Sequence, residues 1–440
     1  MTNQVLREID EQVLASLGKP SRRYLLVLVI CAMLFLIGAI AYGFMYFLGM
    51  GLTGLSVPVS WAVLITNFVF WIGIAHSGTL ISAILFLFRV RWRNAISRSA
   101  EAMTVIAVMT AGMFPLIHLG RPWVFFWLFP YPNYRHLWPN FKSPLIWDVV
   151  AVTTYFTVSV LFFYLGLIPD LATARDNSDG WRKKLYTVLS LRWTGKYEQW
   201  RHYARAYVAL AALATPLVIS VHSVVSWDFA MSILPGWHTT IFAPYFVAGA
   251  IHSGLAMVIT LLVPLRKVLH LERLITINHF EAMAQIMILT GLIVGYAYAV
   301  EGFMSWYSAE KFERQFSFWR AFGTYAPLFW MMVIFNVVVP MSFFVKKLRR
   351  NIAWLVAVAI MVNIGMWLER FVIIVTSLSH GFLPSSWGLY SPRLVEVLIT
   401  IMSFGFFFFM FLSFVKLFPS VAMSELKELE LPREVEHERY

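Results

Sequence analysis

Ten stretches of this chain are each long and apolar enough to cross a lipid bilayer, and no other feature constrains the fold as tightly. A hydrocarbon layer about 30 Å thick takes about 20 apolar helical residues, and within it each backbone polar group must bond inside its own segment. The stretches are 24–48, 59–88, 98–118, 144–168, 206–227, 239–264, 279–299, 324–345, 352–376 and 394–418. The first is too long for a cleaved signal peptide and follows a polar tail with Arg7, Glu8, Asp10 and Glu11. Only 13% of the 440 residues are charged, against about 25% in soluble domains. The expected fold class is an all-α polytopic membrane protein.

Lysine and arginine fix the expected orientation. Of the 35, 27 fall in the two tails, in the loops that share a side with them, or at the span ends bordering these (Arg98, Lys416). The positive-inside rule puts that side, with both termini, in the cytoplasm. The net charge of +12 comes from these membrane flanks, and no basic stripe with interleaved aromatics points to nucleic acid. The single cysteine, Cys31, excludes a disulfide framework, a cysteine-ligated iron–sulfur cluster and a C-x-x-C-H haem attachment within this chain. The acidic stretch from Glu425 to Glu438 reads as a solvated or partner-docking tail.

Motifs recur in order. Gly73-Ile74-Ala75-His76-Ser77-Gly78 matches Gly249-Ala250-Ile251-His252-Ser253-Gly254, and Glu101-Ala102-Met103 with Thr110 matches Glu281-Ala282-Met283 with Thr290. Pro144-Leu145-Ile146-Trp147 matches Pro327-Leu328-Phe329-Trp330. An even number of spans per copy gives a parallel repeat: a first four-helix bundle over 59–238 and a second over 239–391. Flanking helices at 24–58 and 392–418, an N-tail at 1–23 and a C-tail at 419–440 complete the expected organisation.

Ionisable residues inside spans cost about 2.5–3.5 kcal/mol each at mid-bilayer, so each wants a reason. An outer layer holds His118, Arg121, Asp148, His222, Asp228, Glu369, Arg370, Arg393 and Glu396. A deeper layer holds His76 and His252 near mid-depth, with Glu101 and Glu281 near the cytoplasmic starts of their helices. A quinol gives up two protons and two electrons, so a His118/Asp148 pair facing an apolar slot suits quinol oxidation, with Asp228 and Arg121 tuning or relaying protons. His222, Glu369, Arg370, Arg393 and Glu396 would support that layer, and His76, Glu101, His252 and Glu281 offer a proton path. Structural roles stay open for each: an interfacial histidine, a helix-capping aspartate, a headgroup anchor, a self-contained ion pair, close helix packing. A di-haem cytochrome b arrangement using His118 with His222 and His76 with His252 also stays open, as does a secondary transporter. No H-E-x-x-H zinc motif or Walker loop is present.

The segments Ala75-His76-Ser77-Gly78-Thr79-Leu80-Ile81, Ala100-Glu101-Ala102-Met103-Thr104 and Phe114-Pro115-Leu116-Ile117-His118-Leu119-Gly120-Arg121-Pro122-Trp123 carry a resemblance. It continues through Pro130-Tyr131-Pro132-Asn133, Trp138-Pro139-Asn140-Phe141, Ser143-Pro144-Leu145-Ile146-Trp147-Asp148 and Gly166-Leu167-Ile168-Pro169-Asp170-Leu171-Ala172. Over roughly 60–418 the chain resembles the NrfD/polysulfide reductase family of integral membrane proteins, and within it the quinol-binding membrane subunits of bacterial alternative complex III. The resemblance implies oxidation of menaquinol or ubiquinol at His118, Asp148 and Asp228, with no haem, iron–sulfur cluster or metal in this chain. It implies a periplasm-side iron–sulfur protein, c-type haem subunits and a homologous membrane subunit as partners, all in the bacterial inner membrane. A sister subunit of the same fold that binds no quinol is the neighbouring reading.

Overall fold

Each apolar stretch forms a helix. The computed structural model describes residues 2–128 and 144–429. In chain order the helices are α1 (Thr2–Ser16), α2 (Arg22–Leu48), α3 (Val63–Leu87), α4 (Ser97–His118), α5 (Pro144–Asp176), α6 (Gly180–Leu189) and α7 (Tyr197–Ala230). They continue as α8 (Phe242–Val268), α9 (Ile277–Tyr307), α10 (Lys311–Phe322), α11 (Ala326–Phe344), α12 (Ile352–Ser379), α13 (Leu394–Leu417) and α14 (Met423–Leu429). Ten of these are long and apolar enough to span: α2, α3, α4, α5, α7, α8, α9, α11, α12 and α13. No strand occurs among the described residues; the one β-bridge joins His380 and Trp387.

Several helices outrun their apolar windows. α5 continues to Asp176, α7 starts at Tyr197 and α9 runs to Tyr307, because backbone bonding carries on where polar side chains meet water. Caps fix other ends: the Asn351 side chain accepts from the Ala353 and Trp354 amides at 3.0 and 3.2 Å, and Ser21 accepts from Tyr24 at 3.2 Å.

α3 and α8 lie at the centre, buried on nearly all sides, while α2 faces mostly outward. Small residues permit that central contact. A Cβ on Gly254 of α8 would stand 2.6 Å from the Ser77 Cβ of α3, and one on Gly78 would overlap the Ala100 carbonyl and Thr104 hydroxyl of α4. Thr104 Oγ1 then donates to the Ala75 carbonyl at 2.8 Å, tying α4 to α3. Three spans contain a π-helical turn, over Leu80–Ile84, Ile334–Val338 and Val372–Thr376. Each lies at or beside a buried polar residue: Ser82, Asn336 and Arg370.

The first and last described helices, α1 and α14, share one face, hereafter the terminal face. α14 returns to pack on α1, where Lys427 Nζ meets Asp10 Oδ2 at 2.5 Å. Glu425 is not solvated as the acidic composition of the tail predicts. It is buried against the first bundle, because Arg93 supplies a counter-charge at 3.0 Å, Asn94 bonds its carbonyl at 3.1 Å and Ser99 holds the Ser420 carbonyl at 2.6 Å. The rest of the tail (430–440) and the motifs within 129–143 lie outside the described residues.

Candidate functional site

The far end of the first bundle gathers three of the sequence-derived residues. His118 is the last residue of α4 and is half-buried. The Trp61 indole meets it edge-on, ring centroids 6.3 Å apart at 89°. Trp61 also touches Phe229 at 6.4 Å and Trp237 at 6.3 Å, and Trp237 is pinned by donating Nε1 to the Ile373 carbonyl at 2.7 Å. The His118 Nδ1 is buried without a hydrogen-bond partner.

Asp148, in the first turns of α5, and Asp228, near the end of α7, bring their carboxyls within hydrogen-bonding reach of each other. Beside them Trp147 and Trp227 pack edge to face at 5.8 Å. One oxygen on each carboxyl, Oδ1, is buried without a partner. Two carboxylates in contact have no donor between them, so a proton held by one carboxyl would supply the bond and leave the two Oδ1 atoms as acceptors. Asp228 is thus the group that meets Asp148. Arg121 keeps an exposed side chain outside this pair.

A second group lies deeper. His222, expected at the far end of its span, sits eight residues inside α7 because the helix runs on to Ala230. Its ring stands 4.6 Å from that of His76 at 63°, and His76 Nδ1 bonds the Ile72 carbonyl at 2.7 Å. His252 instead bonds Thr290 Oγ1 at 2.9 Å. Next to the histidines Glu369 and Arg370, both buried, pair at 2.8 Å. Arg370 lies over the Phe246 ring at 4.1 Å, and Tyr298 donates to Glu369. The Asn336 amide reaches the Tyr298 hydroxyl at 3.0 Å. This ion pair is a buried knot between α8, α9, α11 and α12, away from the far-end carboxyls.

The third group is at the terminal face. Glu101 Oε2 pairs with Arg98 Nη1 at 2.6 Å, and Arg98 also reaches the Gly166 carbonyl at 2.6 Å and Asp170 Oδ2 at 3.2 Å. Gly166 is required there, since a Cβ would run into the guanidinium. A cavity of about 10 Å³, near the minimum that seats one water, touches Glu101, Thr79 and Ser159. Above it Tyr155 meets Thr79 Oγ1 at 2.8 Å, and its ring lies 5.6 Å from His76. Glu281, the repeat counterpart of Glu101, is elsewhere in character: Arg349 at 2.9 Å and Arg350 hold it near the protein surface. Glu396 caps its own helix by accepting the Arg393 amide at 3.0 Å and ties in Gly54 N and Tyr390 OH at 2.6 Å each. Arg393 donates to the Gly51 carbonyl at 3.1 Å.

Arg98, Asp170, Tyr207 and Glu425 do not stand out in the sequence as site residues. The i,i+3 spacing of Arg98 and Glu101 is a usable signal, as is an aspartate directly after Pro169 at the end of a span. For Glu425 there is no local signal, because its partners are contributed by distant segments.

A family model described as "Polysulphide reductase, NrfD" matches residues 51–380. Over 249 residues the chain is 29% identical to a putative dimethyl sulfoxide reductase membrane subunit of Halobacterium salinarum, covering 56% of this chain and 52% of that protein. Over 362 residues it is 22% identical to the "Hdr-like menaquinol oxidoreductase integral membrane subunit" of Archaeoglobus fulgidus, covering 81% and 80%. Over 220 residues it is 22% identical to a selenate reductase subunit of Mesobacillus selenatarsenatis, covering 48% and 50%. The chain therefore spans about half the length of the first and third of these relatives and four-fifths of the second.

Proposed function

Because the chain belongs to the polysulphide reductase NrfD family, we propose that it is the quinol-oxidising membrane subunit of a quinol-linked oxidoreductase. The observation that carries this reading is the Asp148–Asp228 carboxyl pair beside an α4 end that bears His118 and the Trp61 ring. A quinol ring is flat and apolar with a hydroxyl at each end. Aromatic faces such as Trp61 and Phe229 suit the ring. The free Asp148 Oδ1 and the unpartnered His118 Nδ1 suit the hydroxyls, one as carboxylate acceptor, the other as neutral imidazole.

In this reading each hydroxyl proton passes to a waiting acceptor as the ring gives up its electrons. Asp228 first releases the shared proton toward the outer face, then takes the one that Asp148 received, which leaves Asp148 a carboxylate for the next turnover. The electrons leave for an iron–sulfur partner docked over 119–143 and 228–238 and then for c-type haem subunits. By the positive-inside rule the terminal face is cytoplasmic and the carboxyl pair lies toward the periplasm of a bacterial inner membrane. The name of the Archaeoglobus relative favours menaquinol over ubiquinol. The finer reading is an ActC-like subunit of alternative complex III, built from two parallel-repeat bundles and paired with a homologous membrane subunit.

A proton route accompanies the site. Glu101, the one-water cavity, Tyr155, His76 and His222 form a ladder of buried polar groups through the first bundle. Asp228 lies six residues beyond His222 on α7, about 9 Å of rise. Buried ionisable residues in spans mark such relays. Glu281 and His252 contribute no comparable ladder, so the route belongs to the first bundle.

The test is a visible redox spectrum with quinol-oxidation rates of the assembled complex, wild type against the His118→Ala/Asp148→Asn double variant. A complex that assembles, carries no haem signal in this subunit and loses turnover is the expected outcome. Full turnover in an assembled double variant would overturn the site and move quinol to the sister subunit.

A further inference from the structure

Where the C-terminal helix α14 meets the first bundle, five charged side chains are buried together: Arg93, Arg98, Glu101, Asp170 and Glu425. Arg93 pairs with Glu425 at 3.0 Å, and Arg98 with Glu101 at 2.6 Å and Asp170 at 3.2 Å. Three carboxyls thus share two guanidinium groups. With all three ionised the cluster would bury an uncompensated charge, which the low-dielectric interior strongly disfavours.

The Tyr207 hydroxyl lies between two of the three carboxyls. Its oxygen is 2.8 Å from Glu425 Oε1 and 3.3 Å from Glu101 Oε1. A phenol has one proton to donate, so it donates to one carboxyl at a time and can accept from the other when that one is a carboxylic acid. Asp170 has no need of that proton, since Arg98 and the Ser424 amide at 3.0 Å already serve its two oxygens. Glu425 Oε2 is likewise held by Arg93 and by Ser97 Oγ at 3.3 Å. Tyr207 therefore bridges Glu101 and Glu425, so a proton entering the cluster has a place on either side of the phenol.

On its outer side the cluster opens into a 320 Å³ cavity at the terminal face. Tyr207, Glu425 and Arg93 form its inner wall, with Trp200, Tyr203 and Arg201 among the residues around it. On its inner side Glu101 borders the one-water cavity that leads to Thr79 and Tyr155. α14 therefore places a carboxyl between water and the buried glutamate.

We propose that Glu425 and Tyr207 form the proton inlet of this subunit, with α14 as the element that completes it. The proposal rests on the proton route described above. In the relay step Glu425, protonated from the cavity, gives its proton to the Tyr207 oxygen while the Tyr207 hydroxyl proton passes to Glu101. Glu425 is left as a carboxylate, Glu101 becomes the acid and the phenol is unchanged. Rotation of the Tyr207 hydroxyl resets the path.

The test uses the intact complex in vesicles, with proton uptake at the terminal face read by a pH dye during quinol oxidation. Infrared absorbance of protonated carboxyls is recorded on the same preparations. Glu425→Gln, Tyr207→Phe and Glu101→Gln are compared, with full assembly of the complex checked for each. The expected result is loss of proton uptake in all three, and loss of one protonated-carboxyl band in Glu101→Gln and in Glu425→Gln. Uptake lost in Glu101→Gln but kept at the wild-type rate in both Glu425→Gln and Tyr207→Phe overturns the inlet and leaves the route standing. Uptake kept in Glu101→Gln as well overturns the route itself.

Discussion

Asp148 and Asp228 face each other carboxyl to carboxyl, one from the start of α5 and the other from the end of α7. Their helices run antiparallel, so residues far apart in the chain reach the same depth. In the proposed site the two acids would act as one proton-holding unit. Groups that act as a unit respond to substitution non-additively. Asp148→Asn should lower quinol oxidation about a hundredfold or more, the typical worth of a positioned acid–base group. Asp228→Asn should fall in the same range, and the double variant should be no slower than the slower single. Turnover numbers of the purified complex check this; losses that multiply would mean the two acids work separately.

Glu101 and Glu281 occupy matching places in the repeat motifs yet meet different surroundings. Glu101 is buried against Arg98, while Glu281 is clamped near the surface by Arg349 and Arg350. Glu281→Gln should leave proton uptake per electron unchanged in vesicles, and Glu101→Gln should abolish it. Equal losses from both variants would restore a route through the second bundle.

This asymmetry marks where the sequence is legible and where it is not. Ten spans are readable because a bilayer demands long apolar runs, and a folded helix lies in every one of them. The depth of His118, Asp148 and Asp228 follows from counting residues along those runs. Partner choice does not follow. Which of His118 and Asp228 meets Asp148 depends on helix rotation, and apolar residues all around α5 and α7 leave rotation unmarked. Burial of Glu425 depends on Arg93, Asn94, Ser97 and Tyr207, contributed by segments that precede it by hundreds of residues. Analogy with Glu101 places Glu281 near the start of its helix but says nothing of its surroundings, because the motif match carries no information about Arg349 and Arg350, which arrive after α11.

The contact of α3 with α4 depends on Gly78 having no side chain. A Cβ there overlaps the Ala100 carbonyl and the Thr104 hydroxyl, both fixed by their own helix. Gly78→Ala should therefore push the helices apart and break the Thr104 to Ala75 bond. Overpacking of this kind costs about 1–3 kcal/mol. The midpoint of thermal unfolding in detergent should fall, and an unchanged midpoint would show that α4 shifts freely.

At the far face of the second bundle, His380 stacks on Trp319 with centroids 4.8 Å apart at 8° and on Trp387 at 4.1 Å and 30°. Burial there disfavours the imidazolium and holds the ring's pKa below its ordinary value. An unfolded histidine takes up a proton near pH 6.5, about its unperturbed value. The folded ring does so only at lower pH, so the folded segment binds fewer protons in between. Stability of the His380–Trp387 turn is then fully present above about pH 6.5 and declines as the pH falls through the window below it. Amide-exchange protection factors over residues 380–393, compared between about pH 7.5 and 5.5, should drop in the wild type. His380→Phe keeps an aromatic ring between the two indoles and removes the titrating group, so its protection should stay level. A Phe variant that loses protection as steeply as the wild type would assign the slope to another group.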